Sequence, residues 1–431
     1  MRNRHLIVIS FDALSAIDYK HLHTLPNFSQ LINNGTYVNN VKTVYPSLTY
    51  PAHVSIITGR LPKDHGIINN TLLQPGRKSP DWYWKYKHIK GGTLFDSAKK
   101  AGLTTAALLW PVTAKAKIDY NMPEIFPNRP WQNQILVSLF NGSPIMQIQL
   151  NNKYGHIRKG LRQPELDDFT LASTLDLIKN KRPNLMMIHF TDLDTQRHHY
   201  GFDSNEAIEA IKRHDARLGK IMKTIKDAGI NDNTTIVALG DHSQIDESKV
   251  ISLNTLFVQN SLIQLDKGDN AKNWQAYVKS CDGSAYVYLK NSSDKGIKSK
   301  VGSIINSFMQ NPDCGIEKVY STNQAAALGA DPNCYLMLEA KKDYYFIEST
   351  KGEVIENIYD ASIGKKVTKA AHGYHPDKPN YGTCFMAAGK SIKKGKVIDK
   401  ISLIDEGPTF AELLGIKIDN SYGRVIQEIL E

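Results

Sequence analysis

The sequence has few cysteines, no long apolar run and no internal repeat, and each absence excludes a class of protein. Four cysteines (Cys281, Cys314, Cys334 and Cys384) stand far apart among 431 residues, with no C-x-x-C spacing. That excludes a disulfide framework and a zinc knuckle, and it predicts reduced thiols in a cytoplasmic protein. No apolar stretch approaches the roughly 20 residues that a membrane-spanning helix needs, so no membrane span is expected. The start, Met1 to Asp12, is basic and then apolar. Its apolar run is short and meets Asp12 at once, and no small-residue cleavage site follows, so a first β-strand is expected there instead of a secretory leader. Blocks of positive charge are also missing. The formal charge of +10 favours anionic partners through its long-range field. The lysines are scattered, however, and pairs such as Lys365-Lys366 and Lys393-Lys394 are brief. This describes a solvated basic surface, and no nucleic-acid duplex is expected as a partner.

What is present is an ordinary globular balance, 41% hydrophobic and 22% charged, in a chain long enough for one large domain with an insertion or for two domains. Leu6–Phe11, Thr104–Trp110, Leu185–Phe190 and Thr234–Leu239 read as strands buried on both faces. Between them lie helical patterns at Leu25–Leu31 (stopped at Gly35), Gly92–Ala101, Asp167–Asn180 and Asn205–Ala228, and a further strand is expected at Val38–Val44. Strands alternating with helices predict an α/β fold with a mostly parallel central sheet and helices on both faces. From about Val250 to Lys369 the texture changes, with the alternating segment Ser284–Leu289, a helix near Lys298–Gln310 and the segment Tyr335–Leu338. The expected organisation is therefore a core of residues 1–249 and 370–431 carrying a smaller α+β insertion, 250–369. The Asn- and Pro-rich stretch Ile118–Gly160 is expected to be irregular, and Trp82-Tyr83-Trp84-Lys85-Tyr86 an aromatic loop that either packs or walls a pocket.

The stretch Thr43-Val-Tyr-Pro-Ser-Leu-Thr-Tyr-Pro-Ala-His53 reads as a loop turning into a helix, with Pro51 in its first turn and Gly59 its stop. Thr49 there is equally readable as an N-cap or as a hydroxyl at a helix-start anion site. Other apolar strands end in potential metal ligands: Asp12, Asp194 with His198, and Asp241 with His242, joined by His372 from a Gly-containing loop. Taken singly, such residues are more often structural, as we read His189, His199 and His375. Together, carboxylates and imidazoles suit zinc or a similar divalent ion, and Asp194 and His198 lie one turn apart if that segment is helical.

With these motifs the chain resembles the alkaline phosphatase superfamily, and within it the type I phosphodiesterase/nucleotide pyrophosphatase branch. The resemblance rests on Thr49-Tyr50-Pro51-Ala52-His53, the ligand set above and Gly66-Ile67-Ile68-Asn69-Asn70. It implies a two-metal hydrolase of phosphodiester or pyrophosphate bonds that forms a phosphothreonine on Thr49. It also implies two divalent ions, zinc with manganese as the alternative: one held by Asp12, Thr49, Asp241 and His242, the other by Asp194, His198 and His372. Asn70 would contact phosphate, Tyr50 would flank a nucleoside base, and the partner would be a small phosphate ester or nucleotide. A metal on the Thr49 oxygen would stabilise the alkoxide, because no Ser-His-Asp arrangement is evident to deprotonate it. Ser243 replaces the glycine usual after Asp-His in the family, and the C/S-x-P-x-R motif of sulfatases is missing. No cationic group near the phosphate is assured, with Arg60, Lys63 and Lys85 as candidates. A phosphonate hydrolase, a phosphate monoesterase and a non-catalytic anion- or nucleotide-binding protein remain as alternatives.

Overall fold

An unbroken apolar run must be covered on both faces, and His5–Phe11 is placed accordingly, in the interior of the sheet. It is bonded in parallel to Thr234–Leu239 on one side and to Leu185–Phe190 on the other. The computed structural model describes residues 4–359 and 367–431; the Lys365-Lys366 pair, part of the expected 250–369 insertion and the first three residues fall outside them. In space the central sheet runs Lys396–Ser402, Gly35–Lys42, Thr383–Gly389, Thr234–Leu239, His5–Phe11, Leu185–Phe190, Thr105–Leu108, Tyr120–Met122. Every neighbouring pair is parallel except those of Thr383–Gly389, which is antiparallel to both neighbours.

Strand periodicity divides the core. Ile7, Ile9 and Phe11 join one apolar cluster with Phe28, Ile211 and Leu218, so helices Pro26–Asn33 and Asn205–Asp227 cover that face. Leu6 and Val8 join another with Ile56, Leu94 and Phe410, from helices Thr49–Thr58, Leu94–Lys100 and Glu406–Leu414. The α/β fold with a mostly parallel sheet is thus as expected. A third apolar cluster belongs to an antiparallel sheet ordered Ala276–Cys281, Ser284–Leu289, Leu336–Ala340, Ile316–Ser321, against which Val301 and Ile305 of helix Lys295–Phe308 pack. No helix among the described residues is long and apolar enough to cross a membrane.

Two segments differ from expectation. Gly35 begins strand Gly35–Lys42 instead of stopping a helix, since the preceding helix ends at Asn33. A Cβ at Gly35 would lie 2.0 Å from the Ala387 carbonyl oxygen, so close strand approach explains that glycine. Within the stretch expected to be irregular, Ile118–Gly160, are strand Tyr120–Met122 and helices Gln134–Asn141 and Pro144–Tyr154. Two of the Asn and Pro residues that suggested a loop are helix starts: the Asn133 side chain accepts from Ile135 N–H at 2.9 Å, and Pro144 opens the next helix, whereas residues 123–133 are irregular as expected.

Candidate active site

The site lies at the C-terminal ends of three adjacent strands, the edge where open α/β sheets place their ligands. Asp12 follows His5–Phe11, Asp241 and His242 follow Thr234–Leu239, and helix Asp192–Tyr200 follows Leu185–Phe190. That helix sets Asp194 and His198 one turn apart, as the spacing requires. Thr49 is the first residue of helix Thr49–Thr58, whose cap residue is Leu48 and whose end is Gly59 in the left-handed region. The capping alternative for Thr49 therefore falls away. Its hydroxyl lies instead 3.1 Å from His242 Nε2.

The expected ligands come together as two adjacent groups. His242 Nε2 is 3.3 Å from Asp12 Oδ1 and 3.3 Å from Asp241 Oδ2. In the second group, His198 Nε2 is 3.3 Å from Asp194 Oδ1 and His372 Nε2 is 4.0 Å from it. The rings of His242 and His372 stack at 4.0 Å and join the groups.

These donors fit divalent ions. Four ligands at about 2.0–2.1 Å around a tetrahedral zinc stand about 3.3 Å from one another, the spacing seen here. Asp12 Oδ1 and Asp241 Oδ2 are buried with no hydrogen-bond partner among the described residues. Burial, and then the Asp194 charge, pushes the Asp12 carboxyl up to about 7, and burial followed by Asp12 raises Asp241. The first group is thus short of positive charge, which a cation supplies. Burial, followed by the neighbouring His372, holds His242 well below its ordinary pKa, so it is a neutral donor. At Asp194 burial acts upward, but His198, His372 and His242 together hold the carboxyl below its usual range. His198 is lifted to about 9 by Asp194 against the effect of burial, and its Nδ1 bonds the Ala370 carbonyl at 2.8 Å, which aims Nε2 at Asp194.

Three supporting residues were not foreseen. His189, read as structural, places Nε2 3.0 Å from Asp12 Oδ2, and its Nδ1 is 3.3 Å from Glu124. Glu124 accepts in turn from the Tyr50 hydroxyl at 3.2 Å. His53 bonds the Thr49 carbonyl (2.8 Å) and Ser10 Oγ (3.0 Å), holding the first turn of the Thr49 helix to the first strand. A histidine inside an otherwise apolar strand was a usable signal for His189; Glu124, in a loop, carried none.

Asn70 Oδ1 accepts the Tyr50 N–H at 2.9 Å, placing this amide beside the helix start. Tyr50 differs from expectation. Its ring is fully buried, edge-on to Trp82 at 5.2 Å in a cluster with Val54, Ile67 and Trp84, so it presents no face to a base. The aromatic loop therefore packs. His199 bonds the carbonyl of its own helix and His375 stacks on Tyr320, so neither joins the ligands. Arg60 and Lys63 donate to the carbonyls of Gly92 and Ala326.

A mostly parallel sheet covered on both faces, with carboxylates and imidazoles gathered at its strand ends, defines an alkaline phosphatase-like α/β protein. A family profile described as type I phosphodiesterase / nucleotide pyrophosphatase matches residues 6–375, and the chain belongs to that family. It is 28% identical over 265 residues to human ectonucleotide pyrophosphatase/phosphodiesterase family member 1, a match covering 58% of this chain and 24% of that protein. It is 27% identical over 249 residues to venom phosphodiesterase 2 of Crotalus adamanteus, covering 55% and 26%. The matches thus span about a quarter of the length of these curated relatives. The structure of murine ectonucleotide pyrophosphatase/phosphodiesterase 5 superposes with a TM-score of 0.69 at 19% identity, over 99% of this chain and 100% of that one, which is a likeness of fold.

Proposed function

We propose that the chain hydrolyses phosphodiester or pyrophosphate bonds of small, nucleotide-derived substrates, with Thr49 as nucleophile. The observation that carries this reading is the Thr49 hydroxyl at a helix start, 3.1 Å from His242 Nε2 and among buried, unpartnered carboxylate oxygens. Asp12, Asp241, His242 and Thr49 would hold one divalent ion, and Asp194, His198 and His372 the other. The mixed nitrogen and oxygen donors and their spacing favour zinc. Bound ions would favour the ionised form of the Thr49 hydroxyl and neutralise charge on the phosphoryl and leaving oxygens.

The chain's own groups supply the rest. The N-terminal turn of helix Thr49–Thr58 sets the positive end of its dipole toward a phosphoryl oxygen at Thr49, although the Tyr50 and Ala52 N–H groups are taken by Asn70 Oδ1 and the Leu48 carbonyl. With Asn70 Oδ1 engaged by Tyr50 N–H, the donor end of that amide, Nδ2, remains for the same oxygen. His189, braced by Glu124, orients the Asp12 carboxylate. Attack by Thr49 Oγ1 on phosphorus expels the leaving alcohol or phosphate, which takes up the hydroxyl proton, and leaves the rest of the substrate, its second ester group included, esterified to Thr49 through phosphate; water then cleaves that bond, releasing a monoester and regenerating the hydroxyl. One observation supports diesters over monoesters. Arg60 and Lys63, two of the cationic candidates, are engaged by carbonyls, and a diester carries one negative charge where a monoester carries up to two. An inactive form of the murine relative is known in complex with AMP, which supports a nucleotide-derived substrate.

The test compares specificity constants for paired mono- and diesters of one leaving group with zinc or manganese supplied, in wild type and Thr49→Ala. Diesters should be preferred, and Thr49→Ala should lose turnover while retaining most of its metal. A monoester preference of about tenfold, roughly 1.4 kcal/mol of transition-state stabilisation, would refute the diesterase reading. Wild-type turnover in Thr49→Ala would remove Thr49 from its role.

A further inference from the structure

Residues 125–164 contain no aspartate or glutamate but include Arg129, Lys153, Arg158, Lys159 and Arg162. The same stretch is unusually apolar where it meets solvent. Trp131 is 80% exposed, Ile145 73% and Phe140 67%, and Ile135 and Leu136 are more than half exposed. Most of the exposed large hydrophobic side chains among the described residues lie in this one stretch. Apart from Trp131, just before the first helix, and Leu161, beyond the second, they are carried by helices Gln134–Asn141 and Pro144–Tyr154, joined by Gly142 and Ser143, with Phe140 and Ile145 on either side of the turn.

The two helices share one face, because Ile135 of the first and Ile148 of the second line the same cavity, together with exposed Leu161. The cavity holds about 290 Å³ and is walled mainly by apolar side chains such as Met122, Phe126, Leu139 and Phe169. Arg158 also lines it, and Arg162 follows Leu161 in sequence. Lys115 reaches the helix turn from the other side: its N–H donates to the Asn141 carbonyl at 2.8 Å and its side chain is exposed. Neither Thr49 nor any candidate metal ligand lines the cavity; its wall includes Glu124, the brace of His189, whereas Trp131, Phe140 and Ile145 lie outside its lining.

We propose that this helical hairpin docks the protein on an anionic lipid bilayer. Phe140, Ile145, Ile135 and Trp131 enter the acyl boundary, Lys115, Arg158 and Arg162 lie among the headgroups, and the cavity takes the end of one acyl chain. An apolar face bordered by cations is the chemistry of an interfacial helix, which combines burial with attraction to acidic lipids. A second copy of the chain is a poorer occupant. Arg129, Lys153 and Lys159 are already paired with Asp81, Asp176 and Glu165, and a twofold interface would bring this face against itself and set the remaining Lys115, Arg158 and Arg162 against their own copies.

The test is co-sedimentation of the full chain with vesicles of phosphatidylcholine alone and of equal parts phosphatidylcholine and phosphatidylglycerol. Binding should be confined largely to the mixed vesicles and should weaken as salt is raised. The double variant Phe140→Gln, Ile145→Gln replaces two solvent-facing side chains, so it should fold and cleave a soluble diester as wild type does, yet bind mixed vesicles at least about tenfold more weakly. A failure of wild type to bind mixed vesicles would overturn the proposal, as would undiminished binding by the double variant. Sedimentation velocity showing a dimer that this variant dissociates would do the same, by giving the face to a second copy. The vesicle readout does not depend on turnover, so it stands or falls apart from the proposed activity.

Discussion

Replacing Glu247 by glutamine should raise thermal stability in alkaline solution by several degrees more than in mild acid. Glu247 is 3% exposed. One of its oxygens accepts from the Tyr374 hydroxyl and the other, Oε2, has no partner among the described residues. Burial outweighs the Tyr374 bond, and with the nearby Asp343 and Asp246 charges it pushes the carboxyl up to about 10. The unfolded chain releases this proton near pH 4.5, whereas the folded chain keeps it to about 10. Between those limits the unfolded state binds fewer protons, so stability falls with rising pH by about 1.4 kcal/mol per unit. Glutamine carries no such proton. From about pH 5.5 to about pH 8.5 the variant should therefore gain on wild type by roughly 4 kcal/mol. Unfolding entropy of about 2.1 cal/mol/K per residue gives roughly 0.9 kcal/mol/K for a chain of this length, so the gap should widen by about 4–5 °C. Differential scanning calorimetry of both proteins at the two pH values, at one metal concentration, measures it. The buried amide adds a constant offset from its own unmet hydrogen bonds but no slope. An equal Tm difference at both pH values would show that Glu247 does not keep its proton in the folded protein, and the argument from burial would fail.

His372→Ala should lose one ion and keep the other, because Asp194 and His198 then hold the second position alone; equal loss of both ions, or of neither, by metal analysis would contradict the grouping. Chelation should lower Tm reversibly, by about 4 kcal/mol of stability if zinc was present at about a thousand times its Kd, and unchanged melting would argue against a resident ion. Tyr50→Phe removes the hydroxyl bond to Glu124 and should shift Tm little, whereas Tyr50→Ala should cost about 3–5 kcal/mol as a buried cavity. An alanine variant with unchanged Tm and a raised KM confined to nucleoside diesters would restore Tyr50 to the substrate pocket.

The parts of this molecule that were legible in the sequence are those set by local chemistry. Leu6–Phe11 and Leu185–Phe190 could be read because burial on both faces demands continuous apolar residues, and Asp12 stood out as the carboxylate that ends such a run. The Asp194–His198 pair was readable once the segment was taken as helical, since spacing alone then puts both on one side. Glu124 was not readable, because its importance comes from meeting His189 and Tyr50, which lie 65 and 74 positions away in sequence. The burial of Tyr50 was equally hidden, as it depends on Trp82 folding back over it. In Gln134–Asn141 and Pro144–Tyr154, polar and proline residues that start helices were taken as signs of irregular chain. Gln134–Asn141 buries none of its residues, so it lacks the inward stripe by which a packed helix announces itself, and Pro144–Tyr154 offers only Met146 and Leu150 to the core.

The reversed strand Thr383–Gly389 has a consequence for how the protein is made. Among the described residues, strand Gly35–Lys42 has Thr383–Gly389 and Lys396–Ser402 as its sheet neighbours, so both of its edges wait for residues more than 340 positions later. At about 5–20 residues per second, a ribosome takes roughly 20–70 s to deliver those partners. Throughout that interval the nascent chain carries an open strand edge, and the helix bearing Thr49 lacks the Phe410 and Leu414 side chains that share its apolar cluster. Synthesis halted before Thr383 should therefore yield no partially active fragment but an aggregation-prone chain. A chaperone that shields Gly35–Lys42 during elongation should therefore raise the yield of folded protein.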